Sequence, residues 1–564
     1  MEICFLGPLG KVTGSCTWMR DYDRDWNFLI DCGMQQGEFT AAEWNKCDWP
    51  FEASDIQFVI LTHAHVDHCG LLPVLYKQGF KGRVYCTKET SELATILLKD
   101  SAKFPDTIYT ESDVDKIKWH EPKKPPVLGN WHPVSQDLFL RFFRSSHIVG
   151  SVSVAIHWGP RECQKSIVFS GDIGPNYEDA EYLPLMRHNM HFAEHDFAVV
   201  ESTYGSTVRS EDVMNVEQRR TRLRLLIDRT IKQNGVLLIP AFALGRTQDI
   251  LYDLHWIVAE NPTKYESVLF MLDYPLAKKL NGVMVDGFTR TENNGKCGKV
   301  RPLWLGKQLF RELELNDKNK NHVHRVHDIV RMTLGHTPEN KTSTKQLGNK
   351  IAQAWKPIMR PVKNRAAILK GEIQTPSVIV TGSGMGDAGR SASWLPKLLG
   401  SESNTVAFTG YCSPSSIGGQ IMNLKDTPLN ERSRCTDDLA WSTDNKFPKS
   451  NIRAKIEILN GYSAHADQHG LLDWLLNTSR GKTQPAGKIV FIQHGDKNQR
   501  EALHNAAKDR ASDLNVNIAF ALPNNPVEWL DLEKGAIVID KEIKVKALEA
   551  KLQCIERELK ALGG

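Results

Sequence analysis

The chain has 564 residues, 41% of them hydrophobic and 24% charged, with a formal net charge of +4. That length exceeds one ordinary core and predicts two or three domains, and the composition excludes both a disordered chain and a membrane-spanning one. A charge this mild excludes a polycation, so any surface for a polyanion has to come from local clustering.

Eleven cysteines spread from Cys4 to Cys554 form no Cys-x-x-Cys pair. This argues against a thiolate zinc site and for a reducing compartment. Met1–Phe5 has neither a basic region nor a long apolar stretch, so no leader is expected and the cytoplasm is the expected location.

In chain order, short β-branched and aromatic runs each end in a polar residue. Phe28-Leu29-Ile30 runs into Asp31, Phe58 to Leu61 into Thr62-His63, Ile167 to Phe169 into Ser170-Gly171-Asp172, and Phe197 to Val200 into Glu201. Helical stretches are predicted around 89–99 and 216–233. A strand near 235–240 leads into a turn and helix by 252, and another at 377–381 enters the glycine-rich run 382–390. Near-continuous apolar strands alternating with helices predict an α/β fold with sheets covered on both faces.

Between about 281 and 365 the composition turns polar and basic. This stretch is read as a solvated insertion with loops, or alternatively as a surface for phosphates. Its histidines, His322, His324, His327 and His336, are not accompanied by an aspartate-containing ligand pattern and are not read as a metal site. A further strand at 489–492 precedes Gln493-His494. At the end, Val545, Leu548, Leu552, Ile555, Leu559 and Leu562 keep three-four spacing. They predict an amphipathic helix over 540–564, for packing on its own domain, a homodimer or an RNA-processing partner.

The densest chemistry is Thr62-His63-Ala64-His65-Val66-Asp67-His68-Cys69-Gly70. Three imidazoles and a carboxylate within six positions are hard to order without a cation. Strand ends elsewhere offer His147, Asp172 and His494. The predicted division gives one zinc His63, His65 and His147, the other Asp67, His68 and His494, with Asp172 bridging. Imidazole and carboxylate without thiolate suit zinc best, manganese and iron being compatible. Asp31 is read either as orienting a ligating histidine or as a turn-forming residue before Gly33. The loop 382–390, with Ser383 and Gly384, is read as a phosphate cradle or a simple tight turn. Arg246 is read as an RNA contact or as the partner of an acid.

Taken in order, Asp31, the His-x-His-x-Asp-His block, His147 and Asp172 resemble the motifs of metallo-β-lactamase-fold hydrolases. The segments 12–16, 240–246 and 461–467 resemble the β-CASP branch, and within it the messenger-RNA 3′-end cleavage endonucleases and their bacterial and archaeal relatives. The resemblance covers nearly the whole chain to about Asp531. It implies a metallo-β-lactamase αββα sandwich with an inserted α/β β-CASP domain. The expected parts are 1–204, the β-CASP domain 205–445 and the returning segment 446–535.

The resemblance further implies two zinc ions in an interdomain cleft, with Glu201, His465 and His494 as the three β-CASP motif residues. His465 is expected to act as general acid or phosphate contact with Glu201 supporting it, and Asp67 to serve both metal and catalysis. Three departures bear on groove shape: Tyr274 in Asp273-Tyr274-Pro275, the 281–365 insertion, and Ser146 in place of the glycine usual before the third-motif histidine. No appended RNA-binding domain of the kind some archaeal relatives carry is seen.

The expected function is a zinc-dependent ribonuclease with RNA as its partner and no membrane. It is mainly an endonuclease, with room for 5′-to-3′ exonuclease activity. The alternatives are a β-CASP DNA nuclease, disfavoured because RNA-directed members carry histidine where this chain has His494, and a catalytically silent processing subunit, disfavoured by the complete ligand set. Hydrolysis of a small ester or lactam would not need the large second unit.

Overall fold

The computed structural model describes the chain apart from residues 8, 36–43, 105–106, 122–126, 179, 294–299, 340–343, 363–364, 372, 411, 477–483, 525–527, 535 and 539–564. The predicted C-terminal helix over 540–564 therefore lies outside the described residues. No described helix is long and apolar enough to cross a membrane.

Two sheets face each other. One has eight strands, ordered Ala536–Val538, Trp529–Asp531, Glu2–Phe5, Thr17–Asp21, Trp26–Ile30, Phe58–Ile60, Arg83–Tyr85 and Trp119–His120. The other has seven, ordered Ala519–Ala521, Gly487–Ile492, His195–Val200, Lys165–Phe169, Val152–Trp158, Leu138–Arg144 and Trp131–Ser135. Phe5 from the first and Phe491 from the second meet with ring centroids 5.5 Å apart. Helices Leu72–Lys77 and Lys88–Ser101 bury apolar faces in the first half of the chain. Helices Gln468–Leu476 and Lys497–Asp513 bury Leu471, Leu475 and Leu503 with Val168, Ala198 and Val490 of the second sheet. This is the αββα sandwich, and residues after 486 complete both of its sheets.

A third sheet is parallel throughout, ordered Arg360–Pro361, Leu269–Asp273, Ser377–Gly382, Val236–Ala241, Thr405–Phe408 and Lys455–Ile458. Along Val236–Ala241, Val236 and Leu238 join one apolar cluster while Leu237 and Ile239 join another. The two-residue period thus buries both faces, as a sheet sandwiched by helices requires. Because Lys455–Ile458 pairs with Thr405–Phe408, this sheet takes in residues on both sides of the expected boundary at 445.

The stretch 281–365 differs from the solvated insertion expected from its composition. Its described part holds helices Lys307–Glu312, Lys320–Thr333 and Lys350–Ala354. They bury Trp304, Leu309, Phe310, Val323, Val326, Ile329, Val330 and Trp355. Trp355 lies 5.4 Å from the Tyr252 ring and stacks 6.0 Å from His255, both on the helix Arg246–Glu260. Many of its charged residues lie at the surface of a packed helical unit, while Arg325 and Asp328 are buried within it.

Candidate metal centre

The site residues lie in segments that follow the carboxyl ends of strands, with Asp67 and His68 on the short helix Val66–Cys69. Parallel pairing of Phe28–Ile30 with Phe58–Ile60 sets Asp31 beside Thr62, and pairing of Val200 with Ile492 sets Glu201 beside His494. In sheets with parallel strands this edge is where loops converge and ligands bind. Asp31, Ser146 and His494 have φ of 59°, 57° and 49°. These left-handed conformations turn the chain abruptly at the strand ends and strain a non-glycine residue.

Two groups of donor atoms result. In the first, His65 Nδ1 lies 3.2 Å from His63 Nε2 and 3.0 Å from His147 Nε2, while Asp172 Oδ2 lies 3.3 Å from His63 Nε2 and 3.5 Å from His147 Nε2. In the second, Asp172 Oδ1 lies 3.3 Å from His68 Nε2 and 3.4 Å from His494 Nε2, with Asp67 Oδ2 at 3.9 and 3.8 Å from the same two nitrogens. Four ligands held tetrahedrally at zinc bond lengths lie about 3.3–3.4 Å from one another, close to these separations.

A proton-sharing network is the other way to read such contacts, but it leaves too many acceptors. His147 Nδ1 donates to the Ala464 carbonyl at 2.9 Å and His68 Nδ1 to Asp31 Oδ2 at 2.7 Å. In the neutral ring of His147, Nε2 is then a bare lone pair facing the cluster. At His68, burial is outweighed by the carboxylates of Asp172, Asp31 and Asp67, which favour the charged ring. His68 Nε2, His494 Nε2 and Asp172 Oδ1 are buried without a hydrogen-bond partner, a costly arrangement that a cation would relieve. Burial, reinforced by neighbouring imidazoles, holds His63, His65 and His147 well below the usual histidine range, in the neutral form that ligates metal. Against burial, the surrounding histidines keep Asp172 well below the usual carboxylate range. The donor set therefore fits divalent cations.

His465 flanks the first group, its ring 4.5 Å from His147 and its Nε2 3.9 Å from Asp172 Oδ2. Glu201 Oε1 accepts from His465 Nδ1 at 3.3 Å and from the Ile173 amide at 2.6 Å, and its Oε2 accepts from the Thr203 amide at 3.2 Å. Burial opposes a charged ring, but this carboxylate outweighs it and pushes His465 up to about 9.

Three family models match the chain in order. They are the metallo-beta-lactamase superfamily over residues 9–209, the Beta-Casp domain over 247–421 and the Zn-dependent metallo-hydrolase RNA specificity domain over 449–519. The chain belongs to the β-CASP family of metallo-β-lactamase-fold nucleases. It is 27% identical over 505 residues to transcription termination factor FttA of Methanothermobacter thermautotrophicus, covering 87% of this chain and 66% of that protein. It is likewise 27% identical over 510 residues to ribonuclease TTHA0252 of Thermus thermophilus, covering 89% of this chain and 95% of that protein. The chain thus spans about two-thirds of the archaeal relative and nearly all of the bacterial one.

The β-CASP domain contributes a wall that motif spacing alone did not bring to light. Arg246 heads the helix Arg246–Glu260, and its Nε donates to the Tyr462 carbonyl at 3.2 Å. Among the described residues it makes no ion pair with an acid. Ser383, with φ of 65°, and Gly384 lie in the loop before the helix Ser391–Leu398, and Gly384 packs on the Phe242 ring. Tyr204 and Arg209 join this side: the Tyr204 ring is 5.9 Å from His465, and Arg209 Nη1 donates to the His465 carbonyl at 2.7 Å. Tyr204 stands within the Glu201 motif, but only the fold reveals its neighbours. Among the described residues, His322, His324, His327 and His336 enter no cluster able to hold a metal.

Proposed function

We propose that this chain is a zinc-dependent ribonuclease that hydrolyses RNA phosphodiester bonds, mainly as an endonuclease, and leaves 3′-hydroxyl and 5′-phosphate ends. The observation that carries this reading is Asp172, whose two oxygens each complete one of the two donor sets while His465 stands alongside. In this assignment His63, His65 and His147 would hold one zinc and Asp67, His68 and His494 the other, with Asp172 placed to serve both. A divalent pair supplies Lewis acidity there, making water acidic enough to attack and offsetting charge on a phosphoryl group.

The chain's own residues do the rest. His465 holds a proton on Nε2 toward the cleft and delivers it to the departing oxygen, because Nδ1 is anchored on Glu201. Glu201, fixed by two backbone amides, keeps that ring charged and oriented. Asp67 would hold metal and help to orient the attacking water. Arg246, Ser383 and Gly384 contact the RNA backbone. RNA is favoured over DNA by His494, by the RNA specificity domain match and by the ribonuclease of Thermus thermophilus. Processing or decay of RNA is the corresponding role.

The test is cleavage of matched single-stranded RNA and DNA by the purified protein, with zinc content measured in parallel. Asp67→Ala is expected to abolish cleavage and lower metal content. His465→Ala should retain metal and slow turnover by about 10²–10⁴-fold. Preference for DNA, or normal cleavage by Asp67→Ala, would overturn the assignment.

A further inference from the structure

Two guanidinium groups near His465 have no acidic partner. Neither Arg246 nor Arg209 makes an ion pair among the described residues. Arg246 is half-buried and packs over the Phe242 ring at 4.9 Å. A Cβ on Gly410 would lie 2.7 Å from the centre of its guanidinium, so the cation fills a cradle that only glycine leaves open. Arg209 lies over the Tyr204 ring at 4.8 Å, its Nη2 buried without a hydrogen-bond partner. Like charges gathered around a phenol without a counter-ion cost stability unless an anion completes the group. Tyr204 fits that field: His465, Arg246 and Arg209 pull its hydroxyl below the usual phenol range although burial works against them.

Phe242 adds an apolar surface. It sits at the carboxyl end of the strand Val236–Ala241 and is 38% exposed, in a chain where most large apolar side chains are buried. One side of its ring is backed by Gly384, where a Cβ would lie 2.9 Å from the ring atoms. Backed by Gly384, covered in part by the Arg246 guanidinium and still 38% exposed, such a ring is the kind of surface on which single-stranded nucleic acids stack.

We infer that Arg246, Tyr204 and Phe242 form a nucleotide subsite beside His465. The guanidinium and the phenol hold the phosphate next to the scissile one, and the Phe242 ring carries that nucleotide's base. The inference rests on the ribonuclease reading and adds to it the residues that choose where along a strand the cut falls.

The experiment uses a short single-stranded oligoribonucleotide with one mapped cleavage site. Modified versions carry a methylphosphonate at either phosphate flanking the cut, or an abasic nucleotide at either flanking position. Phe242→Leu is expected to lower kcat/KM on intact RNA by about tenfold or more, the size of one base–aromatic stack. It should lose nothing further on the sensitive abasic substrate, and Phe242→Trp should restore the rate. Arg246→Gln should behave in the same way toward one methylphosphonate substrate, as should Tyr204→Phe with a smaller loss. Arg246→Lys, which keeps the charge, covers the case in which the glutamine variant fails to fold.

Losses that multiply in full between protein and substrate changes would overturn the subsite, as would Phe242→Leu cleaving intact RNA like the unaltered protein. Failure of the unaltered protein to cut any RNA would instead defeat the ribonuclease reading.

Discussion

Asp31 shows how much of the centre depends on a buried residue outside the two donor groups. Its Oδ1 accepts from the Thr62 amide at 2.8 Å, while Oδ2 accepts from the Thr62 hydroxyl at 2.9 Å and from His68 Nδ1 at 2.7 Å. One carboxylate thus fixes both the start of the histidine-rich turn and the tautomer of His68. Asp31→Asn should keep the fold, since asparagine tolerates left-handed backbone, and should weaken divalent-metal binding by about 10–100-fold. Competition with a chelator would measure this, and unchanged affinity would mean that Asp31 only shapes its turn.

The sequence showed an aspartate at a strand end but left orientation and turn formation equally open. The deciding partner, His68, is 37 residues away, and only strand pairing brings it near. Ser146 was legible as a departure, and its φ of 57° gives the reason a glycine is usual there. By contrast, the convergence of these imidazoles and carboxylates was legible in the sequence, because closely spaced imidazoles and strand-end carboxylates have few other stable arrangements.

At the level of elements, the helical insertion is where composition misled. In Lys320–Thr333 the buried Val323, Val326, Ile329 and Val330 form an apolar stripe at helical spacing. Lysines, arginines and histidines between them lower the average and hide it. The period is present, but the segment's mean polarity masks it. This packing centres on Trp355, which is buried, donates its indole N–H to the Thr333 hydroxyl at 3.2 Å and lies among Tyr252, His255 and Trp256. Trp355→Ala should cost about 3–5 kcal/mol. Leu225→Ala, at a side chain 59% exposed, should change stability by less than about 0.5 kcal/mol. Denaturant unfolding of the two variants would compare them, and a Trp355→Ala variant as stable as Leu225→Ala would show that the insertion is not part of the cooperative core.

Across the whole molecule, the loop carrying His465 is held from both domains. Tyr462 donates its hydroxyl to Asp253 Oδ2 at 2.9 Å, and Asp253 also receives Arg219 at 2.7 Å and Arg220 at 3.1 Å. Tyr182 of the metallo-β-lactamase part donates to the Gly461 carbonyl, and Arg219 donates back to the Tyr182 carbonyl at 2.7 Å. The buried pair of arginines needs its carboxylates, and removal of one partner would strand a charge.

Asp249 lies one helical turn before Asp253 on the same helix. Burial, and then repulsion from Asp253, push it up to about 7 although Arg219 pulls it down. It therefore keeps its proton in the folded protein at pH values where the unfolded chain has already released it. Its contribution is most favourable below about pH 4, declines as the pH rises toward 7 and levels off above that. Asp249→Asn removes the titration, so the variant should gain on the unaltered protein between about pH 5 and pH 7 and then run parallel to it. Denaturant midpoints across pH 5 to 8.5 would trace the difference. A variant less stable at every pH would instead mean that Asp249 is ionised and paired with Arg219, a second anion in the network that ties the two domains at the catalytic loop.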